Sequence, residues 1–104
     1  MKYLLIDNLE LVPIEVLKFQ IYYKKEEEKS YLRIELRDGI AYEYEVKNRE
    51  LKEEEKEELY RILVRTLNSR YNPVSTGLIL ERFRAFFLND SAKPSKGRGR
   101  RKRK

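Results

Sequence analysis

The order of apolar and polar positions divides the chain into a strand-rich first half and a helical second half. Residues 3–6 make a short apolar run that predicts a first strand or lead-in. Pro13 carries no ladder donor, which argues against an uninterrupted central strand through residues 9–16. From Val16 the alternation is clear: Leu17, Phe19, Ile21 and Tyr23 fall on one face, and Lys18, Gln20 and Tyr22 on the other. The segment KKEEEK at residues 24–29 reads as a solvated loop, and YLRIELRDGIAYEYEV from Tyr31 to Val46 reads as a hairpin.

The hairpin register follows from where its apolar residues must go. A two-residue Asp38-Gly39 turn would pair Arg37 with Ile40. That register sets Ile40, Tyr42, Tyr44 and Val46 on the face opposite Leu32, Ile34 and Leu36. A three-residue Arg37-Asp38-Gly39 loop instead pairs Leu36 with Ile40, Ile34 with Tyr42 and Leu32 with Tyr44. It requires a left-handed residue at the last loop position, where Gly39 stands. It also sets Arg33 across from Glu43, a favourable outer-face pair. The three-residue loop is the expected one.

A helix is predicted to begin between residues 48 and 52, with Asn48 as an acceptable N-cap and a crowd of glutamates in the first turns, where the dipole favours anions. Leu59, Ile62, Leu63, Thr66 and Leu67 recur at the spacing of one buried stripe, which Tyr60 and Val64 widen. Asn72-Pro73 stops this helix. A second helix is expected from about residues 73–76 to 88; Leu78, Ile79, Leu80, Phe83, Phe86 and Phe87 make it apolar over more than half its circumference. The expected fold is α+β: a small antiparallel meander of three to four strands, packed on one face by two helices. Residues 1–90 form the single folded domain, followed by a flexible, disordered basic tail at 91–104.

Charge and composition narrow the function. The chain has 104 residues and a net charge of +6. Eight of its 24 cations lie in residues 91–104, with no acid among them, so residues 1–90 carry the remaining 16 cations against 18 acids. The basic character belongs to the tail. With no His and no Cys, the commonest general base, nucleophile and metal ligands are absent, and the glutamate runs read as solvated surface. The expectation is a protein that is not an enzyme, with no cofactor and no metal. No apolar run approaches the ~20 residues of a bilayer span, and no secretory signal is present, so a soluble, cytoplasmic protein is expected. Abundant Lys, Glu and Arg give a hyperthermophile-like composition.

Five surfaces are candidates. The tail's Lys93, Lys96, Arg98, Arg100, Arg101, Lys102, Arg103 and Lys104 would contact nucleic-acid phosphates without reading sequence, a chemistry that does not choose between DNA and RNA. Ile79, Leu80, Phe83, Phe86 and Phe87 on the second helix offer an alternative interaction surface for a protein partner or for self-association. On the outer sheet face Tyr22 and Tyr31 could stack bases, although Glu35, Glu43 and Glu45 make that face nearly neutral. The acidic start of the first helix could dock a basic partner or the tail, but is explained better by a solvated face with i,i+4 support such as Glu57 to Arg61. The segment NPVSTG at residues 72–77 could hold an anion at a helix N-terminus; ordinary capping explains it better.

The hairpin, its YEYEV strand and the LKEEEKEEL helix start resemble part of the N-terminal domain of archaeal secretion ATPases over about a third of the chain. Those domains carry Glu-Pro after the strand and Ser or Thr before the helix, where this chain has Asn48-Arg49 and Lys52, and the ATPase motifs are absent. The resemblance therefore implies no function here.

Overall fold

A computed structural model describes residues 1–92 of the chain. The fold is α+β, with a meander of β3 (Lys18–Lys24), β4 (Lys29–Glu35) and β5 (Ala41–Lys47) in that spatial order. Its β4–β5 register is the one the three-residue loop demands: Leu32 lies opposite Tyr44, Ile34 opposite Tyr42 and Arg33 opposite Glu43. The Leu36 N–H donates to the Ile40 carbonyl at 2.7 Å, and Gly39 takes φ +89°. The left-handed geometry is what lets so short a loop reverse the chain.

The N-terminal strand does not extend this meander. β1 (Tyr3–Ile6) pairs antiparallel with β2 (Glu10–Pro13), and β1 also pairs in parallel with the two-residue β6 (Val74–Ser75), giving a second small sheet. Asp7 and Asn8, at φ 54° and 60°, turn the chain back on itself at once. Pro13 then closes β2, and a 3₁₀ turn over Ile14–Val16 redirects the chain into β3. Asn72 ties the two ends of this sheet together: its side chain accepts from the Tyr3 N–H and donates to the Met1 carbonyl, each at 3.1 Å.

Helices α1 (Glu53–Leu67) and α2 (Thr76–Ala92) complete the fold. One core joins all the layers: Ile21, Leu32 and Ile34 from the meander, Leu4, Ile6, Val12 and Val74 from the small sheet, Leu59 and Leu63 from α1, and Ile79, Phe83 and Phe87 from α2. α2 packs against α1, β5, β1 and β6, which accounts for the breadth of its apolar surface. Among the described residues no helix is long and apolar enough to cross a membrane.

Two helix expectations change. Lys52, not Asn48, occupies the N-cap of α1. Tyr60 and Val64 do not widen the buried stripe. They are 37% and 55% exposed, because the core takes the line Leu59, Leu63 and Thr66 and leaves its flank in water.

Candidate nucleic-acid interface

The eight tail cations, Lys93, Lys96, Arg98 and Arg100 through Lys104, lie outside the described residues. What the structure places is the body that carries them, and its surfaces differ in how far their charges are already satisfied.

The outer face of the meander is closed upon itself. Glu43 accepts from the Tyr22 hydroxyl, from Lys24 Nζ at 2.7 Å and from Arg33 at 3.5 Å, while Arg33 also reaches Glu35 at 3.6 Å. The Tyr31 hydroxyl donates to Glu27, and that hydrogen bond, ahead of partial desolvation and the nearby carboxylates, pushes its pKa up to about 12. The Tyr22 and Tyr31 rings stand 6.3 Å apart at a tilt of 36°, and Lys24 Nζ sits 4.7 Å from the Tyr31 ring centre. An incoming base would have to displace that ammonium and meet Glu27, Glu43 and Glu45. On the other face, the Tyr42 and Tyr44 hydroxyls donate to Glu10 and Asp7, each at 2.8 Å, lacing β5 to the turn of the small sheet. Both phenols are shifted upward, Tyr42 chiefly by its bond to Glu10 and Tyr44 chiefly by burial and then by Asp7.

The residues of α2 singled out as an interaction surface divide. Ile79, Phe83 and Phe87 are buried in the protein's own core, whereas Leu80 and Phe86 are half-buried at its edge and Leu88 is 65% exposed. Phe87 is roofed on its open side by Lys47 Nζ at 4.8 Å and the Arg49 guanidinium at 5.9 Å. The bulk of the helix's aromatic surface is thus spent internally.

The acidic start of α1 is a built N-terminus. Lys52 has no side-chain acceptor, so only the return half of a capping box forms: Glu55 accepts from the Lys52 N–H at 2.8 Å. The same carboxylate receives a two-pronged contact from Arg49, at 3.0 and 2.8 Å. The Arg49 bonds, joined by that backbone bond, hold the Glu55 carboxyl at about 2 against partial burial, which acts the other way. Further along, Arg61 pairs with Glu58 at 2.6 Å rather than with Glu57, using the i,i+3 spacing. At the start of α2, Ser75 Oγ accepts from the Leu78 N–H at 3.0 Å and Thr76 Oγ1 from the Asp7 N–H at 3.1 Å. The hydroxyls of NPVSTG are occupied by capping and by the tie to β1.

One surface escaped the sequence reading. Every cation between Glu58 and Leu88 is an arginine, and five of them face only two glutamates in that span. Three of the five, Arg61, Arg65 and Arg82, border a shallow depression along the α1–α2 seam, floored by Tyr60 and Val64. Arg65 forms no ion pair among the described residues, and Arg82 donates to the neutral Thr66 Oγ1 at 3.2 Å. The signal was the segregation of arginines within a body whose total charge is nearly balanced, and that total concealed it. No family model matches the chain, and neither the curated proteins nor the solved structures give a match.

Proposed function

We propose that this is a cytoplasmic, non-enzymatic nucleic-acid-binding protein whose basic C-terminal segment contacts phosphates without reading sequence. The observation that carries this reading is the concentration of eight Lys and Arg, unaccompanied by any acid, in residues 91–104 of a chain whose other 90 residues hold more acids than cations. Cationic segments of that composition neutralise phosphates and release the counterions condensed on them, and this release supplies the affinity. The folded body supports the reading by what it leaves free: Lys24, Arg33 and Glu43 on the outer sheet face are paired with one another, so attraction to a polyanion falls mainly to the tail and to the arginines of the helical layer that lack a carboxylate partner among the described residues.

The test is a fluorescence-anisotropy titration of labelled DNA and RNA with the full-length chain and with a full-length variant in which the eight tail cations are glutamine. Keeping the length unchanged leaves α2 intact to Ala92. The variant is expected to lose at least ~100-fold in affinity at 50 mM salt, as removal of several phosphate contacts requires. Equal affinity of the two proteins would refute the proposal.

A further inference from the structure

We infer that the depression between α1 and α2 is a second contact site, one that takes an unpaired nucleotide of a single strand, with its phosphate between Arg65 and Arg82 and its base over Tyr60 and Val64. This rests on the nucleic-acid reading above and adds to it a folded-body site with a preference for single strands.

Two independent features converge on it, and a third consideration, their combination, selects the ligand. The first is unspent charge. Arg33, Arg49 and Arg61 all have carboxylate partners, whereas Arg65 has none among the described residues and Arg82 is held only by the Thr66 hydroxyl. A guanidinium presents a planar fork that matches two phosphate oxygens, and the Thr66 bond holds the Arg82 fork in place at the seam. Lys2 adds a further cation nearby, since its ammonium bonds the carbonyls of Ser69 and Tyr71, and Ser69 also lines the depression.

The second feature is a fixed apolar floor. Val64 is 55% exposed in the middle of a helix whose neighbouring turns bury Leu63 and Thr66 completely or nearly so. Tyr60 is 37% exposed, and its hydroxyl accepts the Ile21 N–H of β3 at 2.8 Å. That bond fixes the position of the ring, so its exposed part lines the depression without a later ordering cost. The third is the combination itself. A duplex engages a protein mainly through its phosphates and would leave an aromatic and aliphatic floor unused. A single strand uses both, stacking bases on apolar faces while arginines follow the backbone. An acidic peptide would answer the arginines alone.

The experiment uses full-length protein, short labelled oligothymidylate, a duplex of equal length and polyglutamate, at one low salt concentration. The variants are Arg65→Gln and Val64→Asp, both at exposed positions, each in the native and in the tail-neutralised chain. Each substitution is expected to weaken oligothymidylate binding about 10-fold in both backgrounds, the size of one charge-assisted or stacking contact, and to change duplex binding less than about 2-fold. Unchanged oligothymidylate binding in both backgrounds would overturn the site while leaving the tail reading intact. Polyglutamate that binds and loses affinity like oligothymidylate on Arg65→Gln would also overturn it, by showing a site for acidic chains. Failure of the tail reading shows separately, as full affinity of the tail-neutralised chain carrying no other change.

Discussion

The clamp at the start of α1 makes the sharpest stability prediction. Glu55 accepts from Arg49 through both oxygens and from the Lys52 N–H, and its side chain is only 11% exposed. A carboxyl lowered from 4.5 to about 2 corresponds to a ceiling of about 3 kcal/mol of folded-state preference for the charged form. Arg49 is 42% exposed, so solvent screening reduces that ceiling, and the net contribution should be about 1–2 kcal/mol. Because the folded-state value lies below the unfolded one, the unfolded chain binds the proton more readily. The stabilisation is therefore complete above about pH 5 and disappears as pH falls through about 2. Glu55→Gln keeps an acceptor for the Lys52 N–H and removes the charge. At pH 7 it should cost about 1–2 kcal/mol, a loss of roughly 5–15 °C in melting temperature for a domain of this size. Urea unfolding of both proteins at pH 7, 4 and 2 should show the gap narrowing steadily and closing near pH 2. A gap of constant size across that range would refute the electrostatic account, since only shape would then distinguish the two side chains.

Other predictions follow from single contacts. Gly39→Ala should destabilise the protein by about 1 kcal/mol in chemical denaturation: an added Cβ would meet nothing within 4 Å, so the whole cost is that of holding an L-residue at φ +89°, and a neutral substitution would contradict the loop geometry. Tyr60→Phe removes the acceptor for the Ile21 N–H on the β3 edge and should cost about 1 kcal/mol with faster hydrogen exchange at that one amide; unchanged exchange at Ile21 would show the bond to be absent in solution. Phe83→Ala, at 2% exposure, should cost about 3–5 kcal/mol, whereas the same change at half-buried Phe86 should cost clearly less. Equal costs in thermal unfolding would contradict the placement of α2.

The parts of the fold that were legible in the sequence are those specified by neighbours in the chain. Gly39 after Arg37-Asp38, together with the Arg33–Glu43 pairing, determined the hairpin register, and the observed strands follow it. The α1 stripe was equally plain in its inner line, Leu59, Leu63 and Thr66. Its outer line was not, because periodicity alone cannot say which flank of a broad stripe a second helix will cover. Tyr60 and Val64 therefore looked like core and turned out to floor a depression. The small sheet was hidden for a different reason. Its parallel partner β6 is two residues long and lies about seventy positions from β1, too short for any alternation to show. Glu55 was one glutamate in a run of similar ones, and only folding brings Arg49 to it. The apolar excess of α2 suggested a partner surface because the sequence could not show how many elements that helix touches. Contacts with α1, β1, β5 and β6 absorb Ile79, Phe83 and Phe87. That Arg65 forms no ion pair among the described residues is likewise a tertiary fact, since an arginine near a helix C-terminus reads first as a complement to the dipole.

The most direct measurement of the central claim is the slope of log K against log salt for a short DNA duplex, taken with the native chain and with the chain whose eight tail cations are glutamine. If six or more of those cations meet phosphates, the native slope should be near −5 or steeper, at about −0.9 per contact, and the variant's should fall to about −2 or shallower. Identical slopes for the two proteins would contradict the account.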